Sequence, residues 1–465
     1  MPQQKTSSLK TYFDELEETN GDDEFRVWLS RAFDARAELA TFFADRREGR
    51  GTRRYIGFLK GSFNLSFRFS FDDGKPDVTI RFPKPGHTAT ALRDEKVVNE
   101  EVQIMEYLRQ NPNSPIPRVH SWGLLAESPR QLGPFIIMDY VHGTLLSTIL
   151  RQPDTEDVVL NPNIDNRMLD KIYYQIAGYM LQLSQLTFPR IGAISKDNAT
   201  STWHVTGRPL TYNMNELATV ASYPVDQFPT GPFDRASDYL KSLANEHILH
   251  LQTQRNLANN PKIAQKRFIA RHHFAQLIPK YYPKDSGVCI PFCDDLRPAN
   301  ILINPETLQI TAILDLEFTN AMPAAFTYDP PWWLLLTGPD LWLERDAMEE
   351  FVALYEPKME LFLSALERAE TERAIEGRQK AGGMALSSRM RESWRSGRFW
   401  FDFAARKSFD VDMVYWAAFH DDGDGKEVER LGGMACADME SFIQMKMEQL
   451  EAYKEECTAR FSSEL

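Results

Sequence analysis

Asp295, Asn300 and Asp315 are the three residues in this chain whose types and spacing best suit chemistry. Two carboxylates and an amide offer hard oxygen donors to a divalent cation, and one of the carboxylates can at the same time accept or orient a proton. All three fall within residues 288–318, VCIPFCDDLRPANILINPETLQITAILDLEF. The hydrophobic pattern of that stretch reads as a buried strand, a tight polar loop, a short hairpin and a second loop, so the three side chains emerge together from an apolar base.

Other elements must bring a partner to that base. From Tyr55 the pattern has period two, with Leu65, Phe67, Phe69 and Phe71 alternating with Asn64, Ser66, Arg68 and Ser70, which marks a half-buried strand. Just before it lies GFLKGSFN, holding Gly57, Gly61 and Ser62, where glycines between antiparallel strands let backbone N–H groups approach an anion. A further strand, Val78-Thr79-Ile80-Arg81, ends on a cation, and residues 96–110 form a helix carrying Val97, Glu101, Ile104, Met105 and Leu108. Pro115 and Pro117 extend the chain into strands at 119–123 and 133–138, the second running into Met138-Asp139-Tyr140-Val141-His142-Gly143. Residues 22–43 form an amphipathic helix through Phe25, Trp28, Leu29, Ala32, Ala35 and Leu39, capped by Asp22 or Asp23, and residues 165–187 form another.

With 465 residues, 43% hydrophobic and 12% aromatic, the chain can build sizeable cores and is not disordered. A net charge of −13 argues against nucleic acid as a partner, because such surfaces gain affinity from basic groups that release counterions. The N-terminal MPQQKTSSLK lacks the apolar core of a secretory signal, and PWWLLLTGPDLWL is too short and broken to span a bilayer, so the expectation is a cytoplasmic protein with no membrane partner. Four cysteines in so long a chain make no disulfide framework; Cys289 and Cys293 read as buried thiols on a strand rather than as zinc ligands with His272 and His273. His247 and His250, at i and i+3, lack a metalloprotease pattern and read as exposed helix residues.

The loop Cys293-Asp294-Asp295-Leu296-Arg297-Pro298-Ala299-Asn300 and the second loop Leu314-Asp315-Leu316-Glu317-Phe318 resemble H-G-D-L-H-P-G-N and I-D-W-E-F of the aminoglycoside phosphotransferase and choline kinase family. MRESWRSGRFW and ARKSFDVD resemble segments of fungal phosphotransferase-family proteins. The resemblance covers roughly residues 50–420 and implies an α+β, bilobal, protein-kinase-like fold. It implies an N-terminal helical extension at 1–50 and a small nucleotide-binding lobe at 51–142. A large lobe follows at 143–340, with an insertion at about 195–285 over the substrate side, and a helical C-terminal extension at 341–465.

Carried over by motif, Asp295 becomes the catalytic carboxylate, and Asn300 and Asp315 the Mg²⁺ ligands. Arg81, where V-A-I-K has lysine, clamps the ATP phosphates and is held by Glu101, with Glu100 as the alternative. Gly61 and Ser62 approach the phosphates, while Met138, Asp139 and Tyr140 form the hinge that receives adenine. Asp329 is expected in the scaffold. The aromatic run 388–420 is expected mainly in the core, with a share in the wall of a substrate pocket.

The implied activity is ATP-dependent phosphoryl transfer to a hydroxyl of a small molecule, and the alternative is an inactive relative that binds ligand on the same fold. Departures from the motifs motivate the alternative. Cys293 stands for a histidine, and Asp294 stands for a glycine and adds charge beside Asp295, which would raise its pKa. Arg297 is expected to pair with Asp294 or Glu317.

Overall fold

The computed structural model describes residues 9–46, 53–110, 114–155, 158–197, 199–283, 287–376, 384–420 and 433–462. The chain opens with α1 (Glu15–Asp34) and α2 (Arg36–Arg46), which lie on a sheet of β1 (Arg53–Lys60), β2 (Asn64–Phe71), β3 (Val78–Pro83), β4 (Val119–Gly123) and β5 (Phe135–Asp139). The strands run antiparallel in the order β1-β2-β3-β5-β4. Alternation along β2 sends Leu65, Phe67 and Phe69 inward, where with Ile80, Phe82 and Phe135 they meet Phe25, Trp28, Ala32 and Leu39 of the two helices. Trp28 Nε1 donates to Leu132 O at 2.6 Å, so the buried indole keeps a partner.

The first helix differs from its expected bounds. It starts at Glu15, with Asp14 accepting from Leu16 N–H at 3.1 Å as its cap, and it breaks at Ala35. Asp22 and Asp23 are therefore interior, and the earlier turns escaped notice because they are mostly polar. Gly21 permits the close seating of α1: a Cβ there would lie 2.7 Å from Gly86 O.

Beyond α3 (Val102–Arg109) and β6 (Thr144–Leu145), the large lobe is mainly helical, beginning with α4 (Asn166–Leu183). The stretch expected to be an insertion holds the hairpin of β7 (Ala193–Lys196) and β8 (Trp203–Gly207), then α5 (Tyr212–Val220), α6 (Ala236–Thr253) and α7 (Pro261–Gln276). The pairs β9 (Cys289–Cys293) with β12 (Thr319–Pro323), and β10 (Ile301–Ile303) with β11 (Ile310–Ile313), build the expected strand, hairpin and loops. Last come α8 (Met348–Ile375), α9 (Leu386–Ser396), α10 (Arg398–Ala405), α11 (Val411–Ala418) and α12 (Gly433–Phe461). The chain thus has the bilobal α+β, protein-kinase-like architecture.

α7 packs on α6, α11 and α12, so residues 236–276 belong to the core of the large lobe. There Arg267 and Arg271, both fully buried, grip Asp412 at 2.5 and 2.9 Å. His247 and His250, expected on the surface, are fully buried beside them. His247 Nδ1 lies 2.7 Å from Ser408 Oγ and His250 Nε2 2.6 Å from Gln254 Oε1. Burial and then the charge of Arg271 hold His247 down at about 3, so both rings sit neutral in a polar core. Phe399, Phe401 and Phe403 of the aromatic run are core residues at about 1% exposure or less.

Candidate active site

The two loops of residues 288–318 are locked to each other before any ligand is considered. Leu314 N–H donates to Asn300 O at 2.7 Å, and β9 and β12 pair through Cys293 and Thr319, so backbone hydrogen bonds brace the position where the family motif has histidine. Asn300 Nδ2 donates to Asp295 Oδ2 at 2.7 Å and to Asp295 O at 2.9 Å. That fixes the amide and leaves its carbonyl oxygen to face the cleft. Asp315 and Phe318 hold left-handed backbone, φ 58° and 63°; aspartate tolerates this readily, whereas a bulky phenylalanine does so at a cost that surrounding packing must offset. That packing comes from Phe63 and Tyr212, whose ring centroids lie 5.9 and 6.0 Å from that of Phe318.

Arg81 reaches across from β3. Its Nη1 lies 2.8 Å from Glu101 Oε1, its Nη2 contacts Asp315 Oδ1, and Nη2 is 3.3 Å from Glu317 Oε2. Burial works against this cation, but Asp315, Glu101 and Glu317 outweigh it and raise the pKa of Arg81. Burial pushes Glu101 up to about 7 in spite of Arg81, whereas for Asp315 the pull of Arg81 overcomes burial and holds the carboxyl below its usual range. The side chain of Glu100 is not among those described.

A second buried cation, Lys96, went unnoticed in the sequence. Its Nζ is 2.6 Å from Glu317 Oε2 and 3.2 Å from Asn64 Oδ1, and Asn64 Nδ2 donates to the same Glu317 oxygen at 2.8 Å. Lys96 and Glu101 share the inner side because the chain between them is wound wide, with Val102 N–H reaching back to Val97 O. On a regular α-helix two residues five apart would point about 140° away from each other. Only this local π-turn, which no periodicity announced, puts both on the site.

Asp295 sits behind Asn300 and is paired with Arg297, Nε to Oδ1 2.7 Å. Arg297 was expected on Asp294 or Glu317, but Asp294 contacts Arg406 and Glu317 is already shared by Arg81, Lys96 and Asn64. Burial pushes Asp295 up to about 7, with Arg297 pulling down and Asp315 adding to the rise. Asp294, expected to add to that rise, is itself in contact with Arg406. The thiol of Cys293 is buried and raised, first by that burial. Asp329, expected in the scaffold, is buried against Ser393 and lies 3.9 Å from Arg406.

Gly61, Arg81, Glu101, Met138, Asp139, Tyr140, Asn300 and Asp315 line one cleft of about 420 Å³; Ser62 and Asp295 are not among its walls. The Gly61 N–H closes its own turn on Asn64 O at 2.9 Å, and Lys84 Nζ holds the carbonyl of Ser62 at 2.8 Å, so the Gly61 N–H is already spent. In the hinge, Asp139 N–H donates to Arg118 O and Tyr140 N–H to Asp77 O, which leaves Val141, also lining the cleft, as the next candidate donor to a base. The Asp139 carboxylate is 2.6 Å from His120 Nε2.

Among the described residues, no group of three or more His, Cys, Asp or Glu is placed to hold a metal alone. A metal held by two protein oxygens and a ligand's phosphates needs no such group. The donor set supports the fit: Asn300 and Asp315 both line the cleft, and Arg81 holds the Asp315 carboxyl below its usual range, in the ionised form that a cation needs.

A cleft between an antiparallel sheet and a helical lobe, with the Arg81–Glu101 pair above and Asn300 and Asp315 below, has the protein-kinase-like arrangement. The phosphotransferase enzyme family model matches residues 55–360, and the chain belongs to that family. It is 24% identical over 287 residues to clavilactone A biosynthesis cluster protein Y of Ampulloclitocybe clavipes, covering 59% of this chain and 63% of that one. It is 19% identical over 301 residues to the altered inheritance of mitochondria protein 9 of Debaryomyces hansenii, covering 57% and 46%. The chain thus spans less than two thirds of either relative. Among solved structures it is similar to the ethanolamine kinase of Plasmodium vivax (TM-score 0.39, 11% identity, 89% and 85% covered). It is also similar to aminoglycoside phosphotransferase APH(4)-Ia (TM-score 0.40, 13% identity, 81% and 98% covered). No helix among the described residues is long and apolar enough to cross a membrane.

Proposed function

We propose that this protein is a small-molecule kinase of the cytoplasm that transfers the γ-phosphoryl group of ATP, with Mg²⁺, to a hydroxyl group. The observation that carries this reading is Arg81, held at 2.8 Å by Glu101 and in contact with Asp315, over a cleft floored by Asn300. Arg81 binds the phosphate chain with a permanently charged fork, and Glu101 keeps that fork aimed. Asn300 and Asp315 hold Mg²⁺, which when bound neutralises charge on the phosphates. Asp295 takes the acceptor's hydroxyl proton as the oxygen bonds to the γ-phosphorus and the bond to the β,γ-bridging oxygen breaks, releasing ADP. Met138, Asp139, Tyr140 and Val141 receive the base.

The test is ADP release by the purified protein against a metabolite extract, with Asp295→Asn as the blank. Release by the wild type alone supports the reading; equal release by both, or by neither, contradicts it. The alternative, an inactive ligand-binding relative, is favoured by one observation: the Gly61 N–H is spent on its own turn. It predicts that ATP with Mg²⁺ leaves the melting temperature unchanged, because a ligand that binds the folded state must raise it.

A further inference from the structure

Lys84, the residue after β3, is 3% exposed and spends its ammonium on backbone: Nζ donates to Ser62 O at 2.8 Å and to Gly61 O at 3.3 Å. Its own N–H donates to the next carbonyl, Phe63 O, at 2.8 Å, and Thr88 Oγ1 reaches the same oxygen at 3.2 Å. Three successive carbonyls of the hairpin between β1 and β2 therefore turn toward Lys84. A trans peptide is planar, and its N–H points opposite to its C=O. With Gly61 O and Ser62 O drawn to Lys84, the N–H groups of Ser62 and Phe63 must point away from it. Neither has a hydrogen-bond partner among the described residues.

The strand shows which side that is. Side chains alternate along β3: Thr79 and Arg81 line the cleft, while Val78, Ile80 and Phe82 pack in the core under α1 and α2. Lys84 continues the second set, and its Nζ lies 4.6 Å from the centroid of the Phe25 ring of α1. The carbonyls thus face the helices. The two N–H groups face the opposite side, where Gly61 and Asn64, the residues flanking them, line the cleft. The turn that carries Lys84 is itself fixed, since Thr88 N–H donates to Lys84 O at 2.9 Å and Gly86 seats against Gly21 of α1.

Resting on the kinase reading, we propose that Lys84 is a positioning residue of the phosphate site: it collects the hairpin carbonyls on the helix side and so aims the N–H groups of Ser62 and Phe63 at the phosphate chain. The ammonium itself touches no ligand. Its three donors let one side chain hold both carbonyls, and two adjacent N–H groups released on the other face make a concavity that suits an anion. The spent N–H of Gly61 belongs to the same device, because it closes the turn that presents the next two.

The test titrates the full-length protein with ADP and with adenosine by calorimetry, in EDTA so that no metal contributes, and follows amide hydrogen exchange of residues 60–65 by mass spectrometry. ADP is expected to bind more tightly than adenosine and to slow exchange in that segment, which adenosine does not slow. Lys84→Met should weaken ADP about tenfold or more, leave adenosine within about twofold and abolish the added protection. Lys84→Arg, which keeps a cation with several donors, should recover most of the affinity. A lysine that only supports the fold would change both ligands alike or neither. Equal weakening of the two, unchanged ADP affinity in Lys84→Met, or no protection by ADP in the wild type overturns the proposal. If Lys84→Met does not fold, the wild-type exchange decides alone. A wild type that binds no ADP overturns the kinase reading as well, whereas ADP binding that ignores Lys84 overturns this inference alone.

Discussion

The guanidinium of Arg406 closes on the carboxylate of Asp294, joining the turn after α10 to the loop at 293–300 across 112 residues of sequence. Asp294 is where the loop departs from its family pattern by gaining a charge, and the C-terminal helices supply the counter-charge. The same guanidinium lies over Phe292 and Phe326, at 4.8 and 5.2 Å from their ring centroids. The helical arm is therefore part of the support of the loop at 293–300.

Removing that counter-charge is expected to be costly, because it leaves the part-buried Asp294 carboxylate without its contacting cation and the buried Asp329 with only Arg398 nearby. Arg406→Met should lower unfolding stability by about 3–5 kcal/mol in urea titration. Adding Asp294→Asn should recover at least about 1 kcal/mol of it, measured as a double-mutant coupling. No loss in the single variant would show that the pair does not support the loop.

Glu246 gives a pH signature away from the site. It is 3% exposed, its hydrogen-bond partner is Asn213 at 3.5 Å, and burial pushes it up to about 8. Its unfolded value is near 4.3, so between about pH 4 and 8 the native state binds the proton that the unfolded state has lost. The stability this provides is full below about pH 4 and is lost as pH rises through about 8. Glu246→Gln should therefore flatten the stability profile and be the more stable protein at pH 9. Parallel profiles of the two proteins from pH 5 to 9 would refute the assignment.

Asp295→Asn should lower turnover by about 10²- to 10⁴-fold, the range typical of a lost general base. Folding should survive, since an amide oxygen at that position still accepts from Asn300. Turnover within threefold of wild type would remove Asp295 from the mechanism.

At Arg81 the fork itself matters. Arg81→Lys keeps one charge but cannot contact Glu101 and Asp315 together, so affinity for ADP should weaken by about 1.5–3 kcal/mol in calorimetric titration. Unchanged affinity would mean that charge alone suffices there.

Much of this site was legible in the sequence because period-two burial and fixed loop spacing are local properties. Asp295, Asn300 and Asp315 fall on two loops that flank one hairpin, and Arg81 and Glu101 lie only 20 residues apart, on a strand and on the helical segment that follows it. What escaped notice depends on geometry without a local signature. Lys96 turns inward only because of a π-turn, Arg406 reaches Asp294 from a distant helix, and the N–H groups of Asp139 and Tyr140 are consumed by Arg118 and Asp77. His247 and His250 misled for a related reason: pattern shows which side chains share a helix face, and only the packing of α7, α11 and α12 shows that this face is buried.

The central claim, a phosphate site completed by a metal on Asn300 and Asp315, is tested most directly by calorimetric titration of ATP into wild type and Asp315→Asn, each with and without Mg²⁺. The account predicts binding in the wild type that strengthens at least tenfold with Mg²⁺, and loss of that gain in Asp315→Asn. Binding that ignores Mg²⁺, or a Mg²⁺ effect of equal size in both proteins, would contradict it.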